Sequence, residues 1–207
     1  MHNTANRTNS PAYKIVRFIA SIFLLPLKIF YKLEKAFLKT EEAFLGISCL
    51  LSLIPGVFGN IVRAEFYKGT VSGYGENSWI FFGSILTHPT VRIGKNVSVG
   101  LNCTIGTVAI SDNVLIGSNV DILSGRHQHS FNELSKPIRE QEINLQRIFI
   151  GENSWVGNSS VIMSNIGKGC VVGAGSVVVD DVADFSVVAG NPAKVIKKRV
   201  NEVKQDG

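Results

Sequence analysis

Little of this 207-residue chain is charged or sulfur-bearing. Cysteine occurs three times (Cys49, Cys103, Cys170) and never as CxxC, and histidine only four times (His2, His88, His127, His129). This excludes a disulfide-stapled scaffold and a zinc ribbon. The opening, MHNTANRTNS, lacks the apolar core of a secretory signal, so a reducing, cytoplasmic location is expected. Charged residues make up 18%, against about 25% in average soluble chains. What charge there is falls unevenly: net +5 over residues 1–70, −3 over 71–190 and +3 over 191–207. A nucleic-acid binder concentrates basic charge on its folded core. Here the middle is acidic and the ends are basic, which argues against nucleic acid and for a membrane surface or a phosphate-bearing small molecule.

The chain divides into four parts. Residues 1–12 read as a flexible tail, 13–70 as an apolar helical region, 71–190 as a repeat with an inserted loop at 123–147, and 191–207 as a basic terminal segment. Between Tyr13 and Leu38, apolar residues at helical spacing alternate with Lys14, Arg17, Lys28, Lys32 and Lys35, a basic amphipathic pattern with a kink expected at Pro26. Thr40 is placed to cap a second helix beginning with Glu41 and Glu42. Ala43 to Val62 carries no charge but is interrupted by Pro55-Gly56. Three placements fit residues 13–68: in the membrane interface with peripheral attachment at the inner face of the cytoplasmic membrane, packed on the protein or a partner subunit, or spanning a bilayer.

From Val91 the period becomes six. Aliphatic residues stand at 93, 99, 105, 110, 116 and 122, and again at 150, 156, 162, 166, 172 and 178; eight of the twelve are followed directly by glycine. Two residues before most of them is another small or branched residue, among them Val97, Cys103, Val120, Ser160 and Cys170. A helix would scatter positions six apart, whereas short strands joined by sharp corners keep them on one inward face. Coils of this kind stack in parallel, each burying what its neighbour exposes. Cys103 and Cys170 take the small inward position, and Cys49, in an apolar helix, is likewise expected in the core. Leu123 to Arg147 contains no repeat, and an interruption of that length in a compact domain is functional or disordered. It holds Arg126-His127-Gln128-His129.

The hexad [LIV]-Gly-x4, together with Gly151-Glu-Asn-Ser-Trp155-Val-Gly-Asn, the Gly173-Ala-Gly-Ser coil and Gly190-Asn-Pro-Ala-Lys194, resembles the hexapeptide-repeat acyltransferases, within them the galactoside/maltose/virginiamycin O-acetyltransferase group, over about residues 75–200. The resemblance implies a mainly β fold, a left-handed parallel β-helix, with the helical region as an N-terminal appendage. It also implies a homotrimer and transfer of an acetyl group from acetyl-CoA, without a metal, to a hydroxyl of a carbohydrate such as a cell-surface polysaccharide or lipid-linked sugar. Ile54-Pro-Gly-Val-Phe-Gly, with Arg63 and Phe66-Tyr67, is similar to leaders of some polysaccharide acetyltransferases.

On that resemblance His127 is the general base, drawing the proton from the acceptor hydroxyl as it attacks the thioester. The backbone N–H of Asn158 serves the oxyanion, and Gly157 admits the chain close to the thioester. Trp155 lies beside the pantetheine arm, Gly173, Ala174, Gly175 and Ser176 line the coenzyme groove, and Lys194 and Lys197 meet its phosphates. Asn102, Asp121 and His129 are expected on the acceptor side. Asn102 equally suits a coil corner, and Trp155 equally suits a corner filler. Other functions remain open: acetylation of an antibiotic or amino-sugar amine, a γ-carbonic-anhydrase-like metal enzyme, or a non-enzymatic repeat that binds or assembles.

Overall fold

The computed structural model describes residues 11–200, so most of the expected tail and the last residues of the basic segment lie outside the described residues. Four helices come first among the described residues: α1 Pro11–Phe23, α2 Leu25–Phe37, α3 Glu42–Ser52 and α4 Gly56–Lys68. The first two run as one rod, since the Leu24 N–H donates to the Ala20 carbonyl and the Lys28 N–H to that of Leu24. The interruption falls two residues before Pro26, whose ring has no N–H for the turn above it. Thr40 does not cap α3. Its hydroxyl donates to the Glu34 carboxylate at 2.7 Å, and that carboxylate also accepts the Ala43 N–H, so α3 is capped from the end of α2.

The uncharged run divides at Pro55-Gly56 into α3 and α4, and no helix among the described residues is long and apolar enough to cross a membrane. Helix α3 buries Phe44, Ile47 and Leu51 against Tyr31, Phe66 and Tyr67, in a cluster of tilted and stacked rings. Cys49 falls on its opposite side and is exposed, contrary to the core position expected of it. A helix that is apolar all round but docks through one face leaves the rest outside.

Arg63, in the middle of α4, is fully buried. Its guanidinium donates to the carbonyls of Leu51, Ile54 and Ile80 at 2.8–2.9 Å and to Asn60 Oδ1 at 2.6 Å. Carbonyls at the C-terminal end of α3 carry partial negative charge, and they take the place of a carboxylate partner. Burial pulls the arginine pKa below its usual value, yet so strong a base keeps its proton. A Cβ at Gly59 would fall on the Ile54 carbonyl oxygen, so glycine there lets that carbonyl approach.

The remainder is a left-handed parallel β-helix, the rarer sense for a parallel crossover. Strands of mostly two residues stack into three sheets, here A, B and C, and the five strands of sheet C mark five full coils. The coil begins earlier than its most regular repeats suggest: Tyr74, Ile80 and Leu86 pair in register with Ile93, Val99 and Ile105. Inward aliphatics are almost wholly buried, each contributing about 1.5–3 kcal/mol on burial. The small inward position accepts serine because its hydroxyl is used twice: Ser84 Oγ donates to the Gly100 carbonyl (2.6 Å) and accepts the Cys103 N–H (2.9 Å), and Ser154 does the same for Gly167 and Cys170. Cys103 and Cys170 are buried as expected, and burial raises both thiol pKa values, which suits packing rather than nucleophilic chemistry.

Steps from sheet A to B and from B to C are always six residues. Their corners carry a residue with positive φ, usually asparagine: Asn77, Asn96, Asn113 and Asn153 at one, Asn102 and Asn119 at the other. Asn77 Nδ2 donates to Asn96 Oδ1 and Asn96 Nδ2 to Asn113 Oδ1, both at 2.9 Å. All variation in length falls at the corner from C to A, where Ile105 leads to Ile110, Ile162 to Ile166, and Ile122 through the long insertion to Ile150. The expected terminal segment turns back instead: Ala193–Lys198 pairs antiparallel with Ser186–Gly190 and closes sheet B.

Candidate active site

The insertion is an antiparallel hairpin rather than a structureless loop. At its root Gln146 N–H donates to the Ser124 carbonyl (2.8 Å), while the buried Ser124 hydroxyl accepts the Thr107 N–H (2.8 Å). Above this, Asn144 N–H donates to Gln128, His129 bridges Ile143, and Ser130 N–H donates to Glu142. Gly125 adopts φ +94°, and a Cβ there would press on Gln146, so glycine allows the chain to leave the coil at this point. Arg126 ties the root to a later coil through Asp180 at 3.1 Å.

His127 and His129, two apart on one strand of the hairpin, share a face. They line a depression of about 280 Å³ with Ser130, Phe131, Asn132, Glu142 and Asn144. His127 is exposed and no side chain of the described residues hydrogen-bonds its ring. The structure thus unites the two expected histidines, but it leaves Asp121 and Asn102 outside the depression. Asp121 begins a strand on the outer face of sheet C, and Asn102 occupies a corner at φ 53°. Asn144 and Phe131 were not anticipated, because the pairing that brings them to the histidines leaves no periodic signal in the insertion.

The remaining expected residues gather at the corner between sheets B and C. Trp155 points outward from sheet B and is 53% exposed, so it does not fill a corner. Gly157 is pressed against Ala174, where a Cβ would come within 2.6 Å of the Ala174 nitrogen. Along this edge, side chains of one coil accept N–H groups of the coil before: Ser118 Oγ takes the Leu101 N–H (3.1 Å), and Asn158 Oδ1 takes the Ser118 N–H (3.0 Å). The next residue in the ladder is Ala174, which has no acceptor. The Asn158 N–H is therefore left without a partner among the described residues, at the surface and directly over the Gly173–Ser176 coil. This gap is a pre-formed donor for a developing negative charge. Lys194 and Lys197 stand exposed on the terminal strand without ion pairs among the described residues. Lys198 and Arg199 instead hold the coil's end through Ser186 Oγ (2.8 Å) and the Gly169 carbonyl (2.7 Å).

Among the described residues no cluster of three or more His, Cys, Asp or Glu could hold a metal ion. His88 lies elsewhere, 3.8 Å from Glu41.

Comparison with known proteins matches residues 90–124 and 147–179 to the hexapeptide repeat of succinyl-transferase, leaving out the hairpin between them. Galactoside O-acetyltransferase of Escherichia coli (strain K12) is 36% identical over 143 residues, covering 66% of this chain and 68% of that protein. A putative acetyltransferase from Schizosaccharomyces pombe (strain 972) is 34% identical over 117 residues, covering 54% of this chain and 55% of that protein. Among solved structures, a galactoside acetyltransferase in complex with coenzyme A aligns with TM-score 0.58 and 31% identity over 66% of this chain and 70% of that one. A maltose O-acetyltransferase from Clostridium difficile 630 aligns with TM-score 0.66 over 82% of this chain and 91% of that one; at 23% identity it speaks for the fold alone.

Proposed function

This chain belongs to the hexapeptide-repeat acetyltransferases, and we propose that within them it transfers the acetyl group of acetyl-CoA to a hydroxyl of a carbohydrate, with His127 as general base, at a site shared between protomers of a homotrimer. The unpaired Asn158 N–H carries this reading. It lies on the edge that resembles the coenzyme groove, where the ladder made by Ser118 and Asn158 gives way to Ala174 and then Gly190, neither of which has a side-chain acceptor.

In the proposed reaction the acceptor hydroxyl attacks the thioester carbonyl while His127 takes its proton. The negative charge on the carbonyl oxygen rests at the Asn158 N–H. Collapse then breaks the carbon–sulfur bond, and the imidazolium returns the proton to the departing thiolate, leaving an acetyl ester and free CoA. The depression beside His127 suits a sugar: Ser130, Asn132, Glu142 and Asn144 offer hydrogen bonds, and Phe131 offers a flat apolar face.

Geometry supports a shared site. His127 leaves the coil at the C-to-A corner, whereas Asn158 and Gly173–Ser176 line the B-to-C corner, at the other end of sheet C. One prism face of six extended residues measures roughly 20 Å, and the hairpin that carries His127 leaves from one end of it while Asn158 sits at the other. A second protomer presenting its B-to-C edge to this hairpin would bring the two together.

Two outcomes test the donor side. Ala174→Ser supplies a hydroxyl where Ser118 has one, pairing the Asn158 N–H; kcat should fall about tenfold with the melting temperature unchanged or slightly higher, and an unaltered kcat would remove Asn158 from the mechanism. Lys194→Glu with Lys197→Glu should raise KM for acetyl-CoA about fivefold or more through the phosphates, with kcat and folding unchanged. Screening hydroxyl and amine acceptors with labelled acetyl-CoA identifies the acceptor.

A further inference from the structure

The rod formed by α1 and α2 has three faces, which the basic amphipathic pattern alone did not separate. Val16, Ala20, Leu24, Leu27 and Tyr31, three or four residues apart, turn toward the protein. Phe18, Ile22 and Ile29 on the opposite side, and Phe23, Phe30 and Phe37 on the flank beyond it, are exposed, Phe18 at 67%, Phe23 at 78% and Phe37 at 79%. At 100° per residue, Lys14, Arg17, Lys28, Lys32 and Lys35 fall together along the other flank, between these faces. Near the start of that flank a cavity of about 550 Å³ is lined by Lys14, Arg17, Lys68 and Trp79 among others. Trp79 Nε1 is buried there without a hydrogen-bond partner among the described residues. An apolar face of this length far exceeds the scattered apolar side chains normal for a water-facing surface.

We propose that α1 and α2 bind the surface of an anionic bilayer, lying in its plane with the phenylalanine face among the acyl chains and the lysine flank at the phosphates. Charge decides the occupant. A second copy would bring like-charged flanks together, whereas anionic headgroups neutralise them. The cavity adds a smaller part: Arg17 and Lys68 are both paired with Glu65, at 2.7 and 3.1 Å, and Glu76 also lines it, which leaves Lys14 and the unpaired Trp79 N–H to meet a headgroup phosphate. The β-helix is then held beside the membrane by a separate surface, independently of the acetyl-transfer reading.

Flotation of the full chain with vesicles of phosphatidylcholine, alone or with about a third phosphatidylglycerol, tests the proposal. The protein should float with the anionic vesicles and far less with the neutral ones. Ile22→Asp with Phe30→Asp should abolish flotation, and Lys14→Glu with Lys32→Glu should weaken it on the order of tenfold, each with unchanged circular dichroism and unchanged mass by light scattering. Wild-type protein remaining with the soluble fraction at low salt, or the aspartate variant floating normally, overturns the proposal. So does a fall in oligomer mass on aspartate substitution, which would give this face to a second copy. Acetyl transfer to a soluble acceptor, followed in parallel, separates failure here from failure of the catalytic reading.

Discussion

Replacing His127 by alanine is expected to lower kcat for acetyl transfer by about 10²–10⁴-fold, the range for loss of a general base, or about 3–5 kcal/mol of transition-state stabilisation. Affinity for acetyl-CoA, measured by calorimetry, should persist, because the proposed coenzyme groove is built from Trp155, Gly157, Gly173–Ser176, Lys194 and Lys197 and takes nothing from the hairpin. Folding should persist as well, since the imidazole is exposed and makes no hydrogen bond within the described chain. His129→Ala offers the internal control. It shares the depression and is proposed to contact the acceptor, so its loss should appear mainly in KM for the acceptor. If the two variants exchange these signatures, the base is His129. If neither changes turnover, the site lies elsewhere.

Arg63→Met should destabilise the protein by about 4 kcal/mol. Methionine keeps much of the volume, but the carbonyls of Ile54 and Ile80 and the amide oxygen of Asn60 lose the guanidinium as donor, while the Leu51 carbonyl keeps the Ile54 N–H at 3.3 Å. Each buried acceptor left unpaired costs about 1–3 kcal/mol, and relaxation of the helix ends recovers part of the total. Arg63→Lys retains the charge but has no planar fork, so it can serve fewer of these oxygens and should fall between the two. Chemical denaturation followed by circular dichroism measures the effect, and a midpoint shift too small to detect would mean that the helices do not depend on this arginine for their seat on the first coil. Turnover below the melting transition should be unaltered, which separates this role from catalysis.

The coil was legible because its rule is strict. Inward aliphatics at 93, 99, 105 and onward have no other way to share a face, and each lies in the core. The earliest coil was harder to read: Phe81 follows Ile80 and Thr87 follows Leu86 where the hexad has glycine, so the register is visible only through pairing with the next coil. Helical spacing revealed that residues 13–38 are amphipathic and basic, but not which apolar residues face the protein, since both opposing sides are apolar. Cys49 was misplaced for the same reason. His127 stood out only through its motif. The donor at Asn158 depends on a side chain 16 residues later having no oxygen, a relation that exists once coils are stacked. Glu34 capping α3 in place of Thr40 is another contact that proximity along the chain does not reveal.

Confining every irregular step to a single edge makes the enzyme modular. A longer, shorter or differently furnished hairpin can be inserted between Ile122 and Ile150 while the strands above and below keep their alignment, as these two residues already do across so large an excursion. If the hairpin holds the acceptor as proposed, the partner that receives the acetyl group can diversify by exchanging one excursion, with the edge proposed to hold the thioester kept constant. A lineage built on this scaffold explores new acceptors at little risk to its donor chemistry.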